Sequence, residues 1–379
     1  MSFEMKNSES KPQRPLFYGW WIVVAASIMG IFGNGSISNG FPRFFEPIRS
    51  DLDISYVRMS LIFSLARAEV GIDGPLMGWL VDRYGARPMV FIGGLLAGFG
   101  LMLLSAANSY WYFVFLFVGA ISIGKTAAFG QTLMAVVNQW FIRGKAMALS
   151  TLMASFAGGG ALMVLLLDIG ISNIGWRSTL FYTGLLIVVL TIPVSLVIYS
   201  KPEDMGLRPD GDESSSSGSD IDQEEVPYEQ DPIEGNFSVQ QALRTKAFWL
   251  ILIGVITRVS ATNAIMVHIF PILQLKGMDE RTASTCVAAM YLLAIPLRFL
   301  LGIAAGKFSS RKILFSGMFM GAIGIMAVWG IPGMVGVVMF IVGLSIVEGI
   351  TSVNWLMVGE YFGRLRYATL MGIMIFFNS

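Results

Sequence analysis

Six charged residues stand inside long apolar stretches of the sequence: Glu69, Asp73, Lys125, Arg258, Arg298 and Glu348. An ionisable side chain in the middle of a bilayer costs at least ~2.5 kcal/mol by insertion scales, so such residues usually face the protein interior and mark a pathway. Counted inward from the ends of the predicted spans, four of them fall near the midplane, and Asp73 and Arg298 lie within roughly two helical turns of it. We expect these side chains to surround a wetted chamber.

Two of the acids can act together. Glu69 and Asp73 are four residues apart and share one face of a helix, whereas Arg67 points to the opposite side. Two carboxylates in a low dielectric repel, which favours the protonated form of one of them and makes the pair a candidate proton carrier. The alternative is a salt-bridged pair that satisfies Lys125 or an arginine. Glu348 has the same two interpretations.

The basic residues point to an anion. Lys125 and Arg258 can meet across a central cavity and attract an anion there, or they can be neutralised by the buried acids as structural ion pairs. The guanidinium of Arg298 can hold a carboxylate through two parallel hydrogen bonds, or it can pair with Glu348 for stability. His268 can bind protons during transport or can be an interfacial histidine.

The rest of the chain is suited to a bilayer. Of its 379 residues 55% are hydrophobic and 13% charged, and the mean hydropathy is +0.67, far above that of a soluble domain. Cys286 and His268 are the single residues of their types, so we expect no disulfide within the chain and no Cys/His metal site. Ten segments are apolar enough to span a membrane: 17–41, 57–82, 88–107, 110–138, 144–170, 176–200, 247–271, 281–306, 312–331 and 333–357.

Charge outside the spans predicts the topology. Sixteen of the 26 Lys and Arg residues fall on one side of the predicted spans and six on the other, which places the N-terminus in the cytoplasm. The segment 201–246 lies on the same side, and twelve of the 25 acidic residues fall between Glu203 and Glu234. We expect an N-terminal tail over 1–16, a six-helix bundle over 17–200, a mostly disordered linker over 201–246 that ends in a short interfacial helix, and a second bundle over 247–379.

Two signatures recur in the same order. The sequence Gly78-Trp-Leu-Val-Asp82-Arg83-Tyr-Gly85-Ala-Arg87 follows the second span, and a similar stretch from Gly302 to Lys312, with Gly306 in place of the aspartate, follows the eighth. Likewise the stretch from Trp140 to Lys145 is similar to the stretch from Tyr361 to Arg366. The repetition indicates a duplicated six-helix unit.

Residues 78–87 match every specified position of the loop signature G-x-L-x-D-R-x-G-x-R, and the chain thereby resembles the major facilitator superfamily. Three further stretches resemble the branch of oxalate/formate antiporters and monocarboxylate transporters: Phe17-Tyr-Gly-Trp-Trp, Arg67-x-Glu69-x-Gly71-x-x-Gly74-Pro75 and His268-x-x-Pro271. The resemblance implies an all-helical membrane fold of two six-helix bundles. Because an eleventh span begins near Tyr367 and is cut off at Ser379, we expect the second bundle to be incomplete and the chain to be a fragment that transports poorly.

The resemblance also implies roles for residues. Asp82 is expected to cap the cytoplasmic contact between the second and eleventh helices, with Arg83 and Arg87 holding neighbouring helix ends. The run from Tyr291 to Lys307 resembles the eighth helix of the carboxylate-transporting branch, in which an arginine four residues before a glycine engages the substrate. This matches Arg298 and Gly302.

We therefore expect secondary active transport of a small mono- or dicarboxylate, coupled to protons or to a counter-anion, by a monomer in the plasma membrane. A transporter of a neutral or cationic solute and a membrane receptor on the same fold are the alternatives. No H-E-x-x-H or G-x-S-x-G motif occurs, so we do not expect an enzyme, a cofactor or a metal site. The basic residues are explained by topology, and we expect no nucleic-acid partner.

Overall fold

The structure is a computed structural model that describes residues 17–211 and 237–377. This part of the chain is helical and contains no β-strand. The N-terminal tail over 1–16 and the acidic stretch over 212–236, whose disorder the sequence predicts, lie outside the described residues. The principal helices are α1 (Tyr18–Asp51), α2 (Tyr56–Tyr84), α3 (Ala86–Leu104), α4 (Tyr110–Trp140), α5 (145–174), α6 (176–197), α7 (Lys246–Leu275), α8 (Glu280–Lys307), α9 (Ser310–Gly330), α10 (Gly333–Phe362) and α11 (Tyr367–Phe376).

Each of the ten predicted spans coincides with one of these helices. Eight described segments are long and apolar enough to cross a membrane, and one of them, Lys145–Val197, contains both α5 and α6. The chain turns at Gly175, where φ is +79°, and Gly170 of α5 then packs against Thr179 of α6. The charges Arg67, Glu69 and Asp73 lower the hydropathy of α2, which is not among the eight.

The first helix is longer than the sequence predicts. It continues beyond residue 41 through the tight turn Phe41–Phe44 to Asp51. Pro42 stands in the first turn of that segment, where its missing N–H breaks no helical hydrogen bond. The buried side chains of Phe44 and Ile48 hold the extension against the core.

Small residues bring the helices together in pairs. A Cβ on Gly159 of α5 would overlap the backbone of Ile31 in α1. Gly98 of α3 and Gly184 of α6 lie backbone to backbone in the same way, since a Cβ on Gly98 would stand 2.9 Å from the Gly184 carbonyl oxygen. Close backbone approach through small residues replaces the hydrophobic drive that is weak between helices in lipid.

The first six helices form the N-terminal half of the molecule and α7–α11 belong to the C-terminal half. We call the end of the molecule that holds the α2–α3 turn, residues 198–211 and the short helix Val239–Arg244 the linker face, and the opposite end the far face. The short helix has the predicted position and begins at Ser238, which forms a capping box with Gln241.

The two halves meet on the linker-face side of the molecule. Gly78 of α2 contacts Ala368 of α11. The equivalent glycine of α8, Gly302, contacts Ser150 of α5, and Gly306 contacts Ala146 one turn further on. These contacts close the cleft between the halves at the linker face.

Candidate functional site

The first cluster of charges lies between α2 and α4. Glu69 accepts a short hydrogen bond from the Ser122 hydroxyl and lies beside Asp73, one turn further along α2. Lys125 lies one turn beyond Ser122, within electrostatic reach of Glu69 and Arg67. Its ammonium forms no hydrogen bond or ion pair with any residue that the structure describes. The pair of carboxyls therefore faces α4 inside the N-terminal half.

Arg67 points another way. It stands seven residues before Gly74, which packs on Gly372 of α11, and so it lies on the face of α2 that is turned toward the other half. With Lys125 it lines a cavity of about 540 Å³ in the far-face part of the N-terminal half. Ser38, Phe63, Ser64 and Phe117 also line this cavity.

The second cluster lies between α7, α8 and α10. An Nη of Arg298 stands 2.9 Å from a carboxylate oxygen of Glu348, and both side chains are mostly buried. Arg258 on α7 is 6% exposed and lies within electrostatic reach of both residues. The Nε–H groups of Arg258 and Arg298 are buried and have no hydrogen-bond partner among the described residues. Two guanidinium groups thus lie near one carboxylate, and Arg298 is the one that forms an ion pair with it.

Helix geometry shows where this cluster faces. Tyr291 and Arg298 are seven residues apart, and Arg298 precedes Gly302 by four, so all three lie along one face of α8. Since Gly302 packs on Ser150 of α5, that face is turned toward the N-terminal half. Tyr291 is half exposed there and lies within electrostatic reach of Arg298 and Glu348. Arg298 and Arg67 therefore border the cleft between the halves from opposite sides.

Two of the charged residues stand beside breaks in their helices. Helix α4 is interrupted at Gly130, a turn after Lys125, and α10 is interrupted at Ile350, directly after Glu348 and Gly349. Irregular backbone at membrane depth is tolerated where it lies inside protein or lines a cavity. The interruptions are typical of a ligand chamber in this class of fold.

The residues of the loop signature join the two halves. An oxygen of Asp82 accepts hydrogen bonds from the backbone N–H of Thr369 at 2.9 Å and from its hydroxyl at 2.5 Å. Thr369 belongs to the first turn of α11, so the carboxylate caps the positive end of that helix. A Cβ on Gly78 would overlap the carbonyl oxygen of Ala368. The glycine therefore permits the approach that places Asp82 at its partner.

A family model provides the decisive comparison. The model of the Major Facilitator Superfamily matches residues 24–379. The chain belongs to the major facilitator superfamily. The superfamily transporter FucP of E. coli, solved in the outward conformation, has the same fold, with a TM-score of 0.70 over 94% of this chain and 88% of that chain at 14% sequence identity.

Curated superfamily relatives include monocarboxylate transporters. Monocarboxylate transporter 2 of Homo sapiens is 25% identical over 79% of this chain and 65% of that protein. Monocarboxylate transporter 2 of Mesocricetus auratus is 33% identical over 36% of this chain and 28% of that protein. The matched part of the chain spans less than two thirds of the length of either relative. These proteins are transporters and not enzymes, as the sequence predicts for this chain.

Two other positions of the superfamily signature hold the N-terminal half together. Gly85 has φ of +86°, a conformation that glycine adopts without strain, and its backbone passes close to the hydroxyl of Ser200. The guanidinium of Arg87 lies 5.3 Å from the centre of the Tyr199 ring. Arg87 therefore packs on the segment that follows α6, and its role at a neighbouring helix end stays a prediction.

Arg83 differs from that expectation. Its guanidinium lies over Trp79 and Tyr84, at 5.1 and 5.6 Å from the ring centres, and both rings belong to its own helix. An exposed arginine at a helix end can gain cation–π contact there at little cost in desolvation. In this conformation Arg83 therefore packs on α2.

The second half of the superfamily repeat lacks the aspartate and has a substitute that sequence reasoning missed. Gly306 packs on Ala146 at the start of α5, so no carboxylate reaches this helix from α8. The carboxylate of Asp210 instead accepts hydrogen bonds from the N–H groups of Ile142, Arg143 and Gly144, at 2.9, 2.6 and 3.2 Å. The first part of the predicted linker is therefore folded against the linker face.

Polar contacts between the halves add to the Asp82 cap. The Gln139 amide donates to the carbonyl oxygen of Arg364 at 2.8 Å, and the Arg364 guanidinium donates to the carbonyl oxygen of Gln139 at 3.0 Å. Glu203, in the segment after α6, lies 3.6 Å from Arg364. Lys145 reaches the carbonyl oxygen of Gly359 at 3.5 Å. None of these contacts has a motif that the sequence alone would reveal.

His268 lies apart from both clusters. It is exposed on α7, seven residues before the end of that helix, and has no hydrogen bond or ion pair with another described residue. Within residues 17–211 and 237–377 no group of three or more His, Cys, Asp or Glu side chains could hold a metal ion.

Proposed function

We propose that the protein carries a small organic anion of the carboxylate class across the membrane by alternating access, either with a proton or in exchange for another anion. The observation that carries the proposal is the position of two guanidinium groups at one carboxylate: Arg298 forms an ion pair with Glu348 at 2.9 Å, and the buried Arg258 lies within electrostatic reach of both. Each guanidinium retains a buried Nε–H without a partner. A substrate carboxylate would supply the missing acceptor.

The charge balance of the two clusters supports an anion. Four basic side chains, Arg67, Lys125, Arg258 and Arg298, stand against three acidic ones, Glu69, Asp73 and Glu348. Glu69 and Asp73 lie close enough to share one proton, and with that proton four positive charges face two negative ones. An anion reduces this imbalance, whereas a neutral or cationic solute does not.

Roles for individual residues follow from their positions. Arg298 and Arg258 hold the substrate carboxylate, and the Tyr291 hydroxyl lies beside them. Glu348 is their counter-ion when no substrate is bound. Glu69 and Asp73 are the site of the coupling proton. His268 lies on an exposed surface away from these groups, and we assign it no part in coupling.

The gate supports alternating access. The linker face is closed by the Gly78–Ala368 and Gly302–Ser150 contacts, while the cavity at Arg67 and Lys125 lies toward the far face. Substrate therefore reaches the clusters from the far face in this conformation. Opening the Asp82 cap and the Gln139–Arg364 contacts would release it on the other side.

Charge on the two faces supports an orientation. The described linker face carries Arg83, Arg87, Arg143, Lys145, Lys201, Arg208, Arg244, Lys246, Lys307, Arg311, Lys312, Arg364 and Arg366. The far face carries Arg43, Arg49, Arg58, Arg177 and Lys276 in the described part. Since cytoplasmic loops retain positive charge, we assign the linker face to the cytoplasm. We further propose that the protein lies in the plasma membrane and acts as a monomer.

Uptake into proteoliposomes tests the proposal. We expect saturable uptake of acetate, lactate or succinate, and about a tenfold loss for Arg298→Lys, which retains the charge but not the two parallel donors. Arg311→Lys, an exposed arginine on α9, is the matched control and should leave uptake unchanged. Uptake of only neutral or cationic solutes, or full activity of Arg298→Lys, would contradict the assignment.

A further inference from the structure

Lys125 lines the far-face cavity and also lies within electrostatic reach of Glu69 in the Glu69–Asp73 pair. We propose that an anion entering this cavity binds at Lys125, and that its binding drives the uptake of one proton by the two carboxyls. The inference rests on the proposed transport of organic anions and specifies how anion and proton are coupled. It places a second anion subsite in the N-terminal half, apart from the Arg258–Arg298 cluster.

The Lys125 ammonium is the group that would bind the anion. Lys125 lines the cavity, and its Nζ has no hydrogen bond or ion pair within the described part of the chain. Its opposite charge is Glu69, which is already engaged by Ser122 and Asp73. An ammonium has three N–H donors and no acceptor. Lys125 can therefore bind an anion from the cavity without losing a contact.

The Glu69–Asp73 pair can bind more than one proton. Two carboxyls in a mutual hydrogen bond hold one proton between them, so the pair carries one negative charge, which Lys125 balances. One oxygen of each group, Oε1 of Glu69 and Oδ2 of Asp73, is buried and has no hydrogen-bond partner among the described residues. The pair can accept a second proton at such an oxygen.

The entering anion competes with Glu69 for Lys125. An anion bound at the ammonium replaces Glu69 as its counter-charge and leaves the negative charge of the pair unbalanced in a low dielectric. A proton from solution then adds to the ionised carboxylate to give a second carboxylic acid, with no other bond formed or broken. The site is neutral with both ligands or with neither, so they bind together.

The surrounding elements contribute few other charges. Arg67 lines the same cavity and is the more exposed of the two cations, so solvent screens its charge more strongly than that of Lys125. Helix α1 contributes Ser38 and apolar side chains to the lining, and α11 approaches with Phe376. Ser122 donates to Glu69 and does not titrate. Lys125 is therefore the group through which an anion in the cavity changes the protonation of the Glu69–Asp73 pair.

Proton uptake during binding tests the inference. The full chain is titrated with acetate, lactate or benzoate in a weakly buffered detergent solution with a pH indicator dye. We expect about one proton taken up per anion bound by the wild type. We expect none for Glu69→Gln with Asp73→Asn, and for Lys125→Gln about tenfold weaker binding without proton uptake. Lys125→Arg should retain both, and Lys312→Gln, an exposed lysine on α9, is the matched control.

The outcomes are distinguishable. If the wild type binds and transports an anion without proton uptake, or if Lys125→Gln retains the proton count, the coupling through Lys125 is overturned while anion transport stands. If none of the three carboxylates is bound or transported, the proposed function fails and the inference fails with it. Thermal unfolding of each variant without anion shows whether a substitution acts only on folding.

Discussion

Asp82 on α2 accepts two hydrogen bonds from Thr369 on α11, one from its backbone N–H and one from its hydroxyl, and the two residues belong to different halves of the molecule. A carboxylate at the positive end of a helix is favourable, and this contact involves no hydrogen bond within either helix. The loop before the pseudo-symmetric helix α5 is instead held by Asp210, which accepts hydrogen bonds from Ile142, Arg143 and Gly144. In the described part of the chain, a carboxylate therefore caps the helix across the two halves at α11 and not at α5.

Removing the Asp82 carboxylate should open the linker face. Loss of a helix cap costs about 1 kcal/mol, so Asp82→Ala should raise the population with an open linker face roughly fivefold. A cysteine at Ala146, which the α8 contact buries, reports the opening through its reaction with a maleimide in a Cys286→Ser background. Asp53→Asn, at the far face, should leave the reaction rate unchanged, and equal rates for all variants would exclude a gating role.

Replacing Gly78 by alanine should destabilise the closed linker face, whereas replacing Gly254 by alanine should stabilise the protein. In Gly78→Ala the new Cβ overlaps the Ala368 carbonyl oxygen, so α2 and α11 must move apart and the gate cannot close. Uptake should fall by about tenfold, as expected for strain of more than 1 kcal/mol.

The matched control is another helical glycine. A Cβ at Gly254 of α7 meets no atom within 4 Å. Gly254→Ala should therefore stabilise the protein, by up to about 1 kcal/mol, because alanine loses less backbone entropy. Thermal unfolding in detergent and uptake measure both effects, and a stable, active Gly78→Ala would contradict the close approach.

The hydrogen bonds that Asp210 accepts from the loop before α5 should contribute to stability. Asp210 has φ of +60°, a conformation that asparagine tolerates equally well, so Asp210→Asn removes the charge without adding backbone strain. The neutral amide offers one acceptor oxygen to the N–H groups of Ile142, Arg143 and Gly144. The free energy of unfolding should decrease by about 0.5–1 kcal/mol.

Asp53→Asn is the control for this substitution, because Asp53 also has a positive φ, +50°, but accepts no hydrogen bond from another described residue. Thermal unfolding in detergent compares the two variants. Equal unfolding temperatures would show that the hydrogen bonds of Asp210 are energetically neutral.

Much of the fold follows from the sequence. Spans of roughly 20 apolar residues are recognisable because a bilayer requires that length, and the loop signature at 78–87 indicates the family. The sequence also identified Glu69, Asp73, Lys125, Arg258, Arg298 and Glu348, since a charge in an apolar span is costly wherever it points. It left open which of them meet.

Tertiary structure decided those partnerships. Arg298 pairs with Glu348, fifty residues away, and Glu69 with Ser122 of another helix, because helix packing and not sequence spacing sets which faces meet. The same holds for Asp210, which the sequence places in the predicted linker among other acidic residues. Only the folded chain brings this carboxylate to three backbone N–H groups, because a hydrogen bond requires a direction and a distance that composition does not encode.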